Sequence, residues 1–359
     1  MEKKALIAMS GGVDSSVAAL LCQQAGFDCM GVTLKLYDNE DAGLPREKTC
    51  CSVDDVADAR SVAFRLGMPF YVFNFKEAFR REVMDRFVQA YERGETPNPC
   101  VDCNRYIKFE KLMRRGEETG FPYIATGHYA RVEFDGAAGR WLLKKGLDEN
   151  KDQSYMLWSL TQWELSRLLL PLGGLTKERV RQLAEEHGFL NARKRDSQDI
   201  CFVPDGDYAA FIRRYAGKEF PPGAFVGTQG QVYGQHKGII HYTVGQRKGL
   251  GLSFPQPMFV KELDVEKNRV VLAKAEELFS QEVIARDINL ISVESIPAPL
   301  RVKARVRYRQ KEQPATVLQT GPGELRVVFD QPQRAVTPGQ SLVLYDGDTV
   351  VGGGKIARK

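Results

Sequence analysis

No stretch of this sequence approaches the roughly 18 uninterrupted apolar residues of a membrane-spanning helix, so a membrane partner is not expected. Lys3 and Lys4 precede a short apolar run, but Ser10, Gly11, Gly12 and Asp14 cut it off before it could serve as the centre of a secretion signal. The expected location is the cytoplasm. Charge of one sign is also scarce: 51 Lys and Arg against 46 Asp and Glu leave +5 at pH 7. That mild excess favours a polyanion without marking the whole chain as a nucleic-acid binder. Internal repeats and low-complexity tracts are absent, and 43% apolar with 27% charged residues is the composition of a globular chain rather than a disordered one. Cysteines are few and odd in number, seven. Without a secretion signal a disulfide framework is a poor reading, and catalytic or metal-binding thiols are a better one.

What is present organises itself into domains. A chain of 359 residues exceeds what one core usually serves and suggests two or three. From Ala5 to about Ile200, short apolar runs alternate with helix-period segments, the pattern of βαβ units around a parallel sheet. Strands are predicted at Leu6 to Ala8, Cys29 to Leu34, Phe70 to Phe73 and Tyr123 to Thr126. Helices are predicted at Asp14 to Ala25, from a Ser52 cap to Gly67, at Glu77 to Arg93 and at Ile107 to Thr119. The prolines in TPNPCVDCN make Thr96 to Asn104 a loop. Tyr129 to Lys145 reads as a hairpin turning at DGAAG, followed by helices at Gln162 to Leu170 and Lys177 to His187. Gly and Pro then become frequent, and from Met258 short alternating runs between turn residues suggest an all-β barrel. The expected fold class is α/β: a parallel-sheet domain over 1–204, a small central domain over 205–277 and a C-terminal antiparallel β-barrel over 278–359.

AMSGGVDSS, from Ala8 to Ser16, lies between an apolar strand and a helix, where open N–H groups and the helix dipole suit a phosphate. Gly11 and Gly12 permit close backbone approach, and Ser10, Ser15 and Ser16 add hydroxyls. No Lys follows the glycines at Walker A spacing, and the dinucleotide fingerprint is missing too. SGGVDS resembles the pyrophosphatase loop of the PP-loop (adenine nucleotide alpha hydrolase-like) ATPases, which split ATP between its α and β phosphates. The resemblance implies ATP and Mg²⁺ as cofactors. It gives Ala8, Met9, Ser10, Gly11, Gly12, Val13, Asp14 and Ser15 to the nucleotide, with Asp14 near Mg²⁺, Leu34 at the adenine and Gly127 lining the site from a later strand.

Cys100 and Cys103 form a C-x-x-C, Cys50 and Cys51 are adjacent, Cys201 stands alone, and Cys22 and Cys29 lie in apolar surroundings. Thiols could supply a polarisable nucleophile and a persulfide carrier. Cys103, expected to open a helix, would have its pKa lowered there. Structural zinc lacks a convincing second ligand pair, a thioredoxin-like pair would open a helix directly after a strand, and a buried inert Cys201 stays open.

TPNPCVDCNRYIKF (Thr96 to Phe109), GHY (Gly127 to Tyr129), NKDQSYML (Asn150 to Leu157) and RDSQDICF (Arg195 to Phe202) together resemble the bacterial-type tRNA-uridine 2-sulfurtransferases. The likeness runs from Lys4 to the C-terminus. It implies ATP-dependent thiolation of the wobble uridine, with Cys103 as nucleophile and Cys201 as persulfide carrier, the two joining in a disulfide during turnover. Many family members have Asp where this chain has Cys100. That departure makes a [4Fe-4S] cluster on Cys100, Cys103 and Cys201 an alternative holder of sulfur. The implied sulfur donor is a cysteine desulfurase or a sulfur-carrier protein.

In LRVKARVRYR, period two puts Arg301, Lys303, Arg305, Arg307 and Arg309 on one strand face, either a phosphate track or a solvated edge. The resemblance favours RNA contact and adds His128, Lys151, Asp152, Gln153, Arg307, Tyr308 and Gln340 as tRNA-binding residues, gripping the anticodon arm. Two rivals stay open: a PP-loop ligating or amidating enzyme, which needs no thiols, and a non-catalytic RNA-binding protein whose nucleotide loop gates affinity.

Overall fold

The computed structural model describes residues 2–38, 53–194 and 200–358. It divides into two compact units: Met1–Val83 with Cys100–Pro204 and Gly347–Val351, and Met84–Pro99 with Asp205–Asp346 and Gly352–Lys359. Ser52, the expected helix cap, and Cys50 and Cys51 lie outside the described residues.

The first unit is built on a parallel sheet. Strands β1 (Lys4–Ala8), β2 (Asp28–Lys35), β3 (Phe70–Asn74) and β4 (Tyr123–Ala125) appear where the apolar runs predicted them. A hairpin follows, β5 (Ala130–Asp135) and β6 (Arg140–Lys145), and then a two-residue strand β7 (Leu168–Leu169). The sheet order is β3-β2-β1-β4-β7. Leu6 and Ile7 of β1 are fully buried, because the central strand of a parallel sheet is covered on both faces. Helix Val13–Gln24 packs Val17, Ala18 and Ala19 into one core with Ala59, Val62 and Ala63 of helix Val53–Arg65.

Two local readings are corrected here. The TPNPCVDCN segment is a loop only as far as Asn98: a helix begins at Pro99 (Pro99–Asp102), runs through a π-helical stretch at Cys103–Lys111 and ends as Leu112–Glu118. Proline is well suited to a first helical position, where its missing N–H costs nothing. The helix expected over Gln162 to Leu170 stops at Leu165, although Thr161 and Glu164 form a capping box at its start. Leu168 and Leu169 instead pair with Ile124 and Ala125 as the sheet edge.

The second unit holds the remaining strands, apart from residues 349–351 at the start of the last strand, which belong to the first unit and through which the hairpin β5–β6 continues the barrel sheet. Strands β8 (Gly223–Gly227), β9 (Val232–His236), β10 (Phe259–Asp264) and β11 (Arg269–Ala273) order as β10-β11-β8-β9. They are preceded by a helix, Tyr208–Ala216, that the sequence reading passed over; Asp207 caps it and Gly217 ends it with φ 62°. Strands β12 (Phe279–Leu290), β13 (Leu300–Arg305), β14 (Gln313–Gly321), β15 (Glu324–Arg334) and β16 (Ser341–Asp346), with β17 (Thr349–Ile356), form the C-terminal antiparallel barrel. Pairing of Ala285 with Ile356 joins β12 to β17 and closes it. Among the described residues no helix is long and apolar enough to cross a membrane.

Candidate active site

Strand order reverses direction beside β1: the chain passes through β2 and β3 on one side and returns to β4 on the other. In open α/β sheets the crevice at the carboxyl ends of such strands takes ligands. The segment after β1 occupies that position. Gly11 has φ +75°, and a Cβ there would lie 2.4 Å from the Asp55 carbonyl oxygen, so this turn requires glycine. Ser15 Oγ donates to the Gly12 carbonyl at 3.0 Å and accepts from Ser10 N at 3.2 Å. Gly12 caps helix Val13–Gln24 without any side-chain cap bond, so the first-turn N–H groups are open to an anion. Ala8, Met9, Ser10, Gly11, Gly12, Val13, Asp14 and Ser15 thus form one continuous corner. Gly127 follows β4 and lies flat against it, since a Cβ there would sit 2.8 Å from Asp14 C and Ser15 N. Leu34 is buried two residues past the Ala8–Val32 register of β1 and β2, on the neighbouring strand end.

Asp14 is held from two sides. Tyr129 donates its hydroxyl to Asp14 Oδ1 at 2.8 Å, and Lys177 donates Nζ to the same oxygen at 2.7 Å. Among the described residues Oδ2 is left without a partner. An acid with one carboxylate oxygen still available at this corner fits Mg²⁺, which usually takes one or two carboxylates and completes its shell with water and substrate phosphates. The sequence reading missed both partners. Lys177 is buried at the first position of helix Lys177–Glu186, where the helix dipole disfavours a cation. A lysine there needs a carboxylate, and that was the available signal.

The thiols lie on separate elements. Cys103 is buried within the helix begun at Pro99, and burial pushes its thiol up to about 11 although the Lys108 ammonium pulls the other way. The lowering expected from a helix N-terminus is therefore absent: Cys103 lies one turn inside and loses more to desolvation than it gains. Cys100 keeps an exposed surface, yet the protein packed around its thiol also raises its pKa, again opposed by Lys108. Cys201 is half-buried, its carbonyl accepts from Tyr37 Oη at 2.6 Å, and Phe202 beside it packs on Phe79. Among the described residues no three Cys, His, Asp or Glu side chains converge as metal ligands. The three thiols expected to hold a [4Fe-4S] cluster are therefore not gathered as a ligand set among the described residues: Cys100 and Cys103 ride on the helix, and Tyr37 ties the Cys201 backbone to the segment after β2. Residues 195–199 of the RDSQDICF motif lie outside the described residues.

His128 is buried, shares a 2.8 Å hydrogen bond between Nδ1 and Thr126 Oγ1, and packs on Phe109 of the cysteine helix. Burial, with Lys108 nearby, holds its pKa well below the usual imidazole value, so the ring is neutral. The tripeptide Gly127-His128-Tyr129 therefore touches both parts of the site: its ends meet the nucleotide corner and its centre meets the helix of Cys103.

Several residues expected at RNA are engaged internally. Asp152 is buried and accepts from Gly146 N and Ser154 N at 3.1 Å. Gln153 Oε1 accepts from Tyr129 N at 3.0 Å, which orients the tripeptide, and Lys151 N donates to Asp148 O. In the second unit, Arg307 Nη2 donates to the carbonyls of Val244 at 2.9 Å and Ala335 at 3.0 Å and to Thr337 Oγ1. Tyr308 is half-buried, and Gln340 Nε2 donates to Thr96 O at 2.6 Å. Strand β13 ends at Arg305, so the five-cation face is cut short. Arg301 pairs with Asp330 at 2.7 Å and Arg305 with Glu312 at 2.9 Å, which neutralises much of the remainder.

Three family models match the chain: a tRNA methyl transferase HUP domain over residues 3–205, a tRNA methyl transferase PRC-barrel domain over 209–274 and an aminomethyltransferase beta-barrel domain over 280–356. A protein of Clostridioides difficile named tRNA-specific 2-thiouridylase MnmA is 50% identical over 358 residues, covering 100% of this chain and 99% of that one. A tRNA-specific 2-thiouridylase MnmA 1 of a Thermoanaerobacter species is 51% identical over 357 residues, covering 99% and 98%. Among solved structures, a 4-thiouridine synthetase in complex with RNA and ATP is 20% identical, covers 60% of this chain and 50% of its own, and has a TM-score of 0.37. A likeness of that size carries no argument here.

Proposed function

This chain belongs to the tRNA-specific 2-thiouridylase family, a family of enzymes, and from that premise we propose that it replaces O2 of the wobble uridine of tRNA with sulfur at the expense of ATP. The observation that carries the reading is the tripeptide Gly127-His128-Tyr129, whose residues contact the phosphate corner and the cysteine helix together. A reaction that first adenylates a base and then attacks it with sulfur needs those two chemistries side by side.

In the proposed sequence, uridine O2 attacks the α-phosphorus of ATP and pyrophosphate leaves. The N–H groups after Gly11 hold the leaving oxygens, and Lys177 balances their charge. When bound, Mg²⁺ would be held by Asp14 and would neutralise the pyrophosphate. A persulfide on Cys201, loaded by a cysteine desulfurase or sulfur carrier, attacks C2 through its terminal sulfur, and AMP departs with the former O2. Cys103 then attacks the Cys201 sulfur of the resulting C2–S–S linkage and frees the thiouridine. This leaves a Cys103–Cys201 disulfide that a thiol reductant reopens. Cys103 must lose a proton at that step. Its buried, protonated resting state suits a nucleophile that is idle until substrate arrives.

The test is thiouridine formation in unmodified tRNA with ATP and a persulfide donor, following AMP release in the same samples. Wild type should form both products in equal amounts, whereas Cys103→Ala and Cys201→Ala should lose thiouridine. Normal thiolation by both variants would refute the sulfur route. AMP release without thiouridine in wild type would point to a different PP-loop ligase.

A further inference from the structure

The segment that follows helix Lys177–Glu186 sends one side chain under the nucleotide corner. Asn191 is 4% exposed. Its Nδ2 donates to the Gly11 carbonyl and to Ser16 Oγ, each at 2.9 Å. Ser16 Oγ in turn donates to the Gly12 carbonyl at 3.1 Å. One amide therefore captures the Gly11 carbonyl directly and braces a hydroxyl on the Gly12 carbonyl, which also accepts from Ser15 Oγ at 3.0 Å and from Ser16 N at 3.3 Å. Its own Oδ1 is buried and has no partner among the described residues. Both Nδ2 hydrogens are thus placed on the corner, although that orientation leaves the amide oxygen without a bond.

The consequence follows from peptide geometry. A trans peptide points its C=O and the next N–H in opposite directions. Asn191 lies on the buried side of the corner, whereas Gly12 is partly exposed. Holding the Gly11 carbonyl inward turns the Gly12 N–H outward, and holding the Gly12 carbonyl inward does the same for the Val13 N–H. The Gly12 carbonyl keeps its bonds from Ser15 Oγ and Ser16 N, but the Gly11 carbonyl is held by Asn191, and with no Cβ on Gly11 or Gly12 the peptide between them could flip without it and present an oxygen to the phosphates.

We propose that Asn191 is a positioning residue for the pyrophosphate end of ATP: it fixes the orientation of the Gly11–Gly12 peptide so that the Gly12 N–H, and not the Gly11 carbonyl, faces the polyphosphate. This rests on the nucleotide reading above and adds a residue to it. The selectivity it predicts is unusual for a structural contact. Asn191 should matter for ligands that carry phosphates beyond the ribose and not for the nucleoside, whose base and sugar lie elsewhere.

The experiment compares direct binding of ATP and of adenosine to wild type, Asn191→Leu and Ser16→Ala, with thermal unfolding of each free protein recorded beside it. Asn191→Leu keeps the branched outline with somewhat larger tips and removes both donors. It should weaken ATP about tenfold or more and leave adenosine unchanged. Ser16→Ala removes the acceptor that orients the Asn191 amide while leaving its bond to the Gly11 carbonyl, and should give a smaller loss of the same kind. Were Asn191→Leu unable to fold, the Ser16→Ala comparison would decide, because an equal loss for ATP and adenosine there overturns the proposal. Unchanged ATP binding by a folded Asn191→Leu protein also overturns it. Failure of wild type to bind ATP at all would sink the nucleotide reading and this inference together, a result distinguishable from the others by the wild-type arm alone.

Discussion

The protonated state of Cys103 can be tested with numbers. Its thiol sits at about 11, raised by burial and partly relieved by Lys108. At pH 8 such a group is ionised to about one part in a thousand, against roughly one quarter for an unperturbed thiol near 8.5. Alkylation by iodoacetamide, followed at the Cys103 peptide by mass spectrometry, should therefore accelerate about tenfold per pH unit from 7.5 upward, with no plateau below about pH 10. The slope is robust to burial. If the reagent reaches the thiol only through brief local opening, the reactive population is still the open thiolate divided by all native forms, and it levels off only when the native thiol itself titrates. Lys108→Met should move the plateau higher, because the ammonium favours the thiolate. A wild-type plateau at or below pH 8.5 would refute the reasoning, since it would mean that something other than Lys108 already stabilises the anion in the free enzyme.

Other consequences are equally direct. Lys177→Met removes a charge-assisted hydrogen bond to Asp14 and the cation proposed to meet the pyrophosphate; at about 1.5–3 kcal/mol, ATP should bind roughly ten- to a hundredfold more weakly by calorimetry. Unchanged affinity would remove Lys177 from the site. His128 is held neutral with its pKa below the unfolded value near 6.5. The unfolded chain gains a proton there first as pH falls, so stability is lost below about pH 6.5, by up to about 1.4 kcal/mol per unit. Urea unfolding from pH 7 to 5 should show this slope in wild type and a shallower one in His128→Gln; identical slopes would be contrary. Arg307→Met should lower the unfolding temperature, the cost being about 2 kcal/mol or more for bonds to Val244, Ala335 and Thr337. Weaker tRNA binding at an unchanged melting temperature would instead return Arg307 to the RNA surface.

How far the site could be read from sequence depended on how local its chemistry is. Ser10 to Ser15 are consecutive, and the glycines, serines and acid of the corner after β1 occur together, so its strand–turn–helix geometry was legible at once. Asp14 was named for Mg²⁺, but its partners Tyr129 and Lys177 lie 115 and 163 positions away and belong to segments that look ordinary alone. The cysteine helix was misread because two prolines were taken to mean loop, whereas Pro99 sits where a helix best accepts one. The basic face of β13 shows the limit of the pattern: alternation continues to Arg309, but the strand ends at Arg305, and the acids that pair with Arg301 and Arg305 come from other parts of the barrel. Period two reports which side a residue faces. It is silent on what faces it.

In the free protein Cys103 is held protonated, His128 neutral and Asp14 tied to Lys177. These three conditions are linked through one tripeptide. On the proposed route, polyphosphate at the corner would offer Lys177 a second anion and so weaken the bond it shares with Asp14, to which Tyr129 also donates. His128, between Gly127 and Tyr129, packs on Phe109 of the stretch that carries Cys103. Those contacts predict that ATP changes the rate of Cys103 alkylation; an identical rate with and without ATP would show that the corner and the thiol are not coupled.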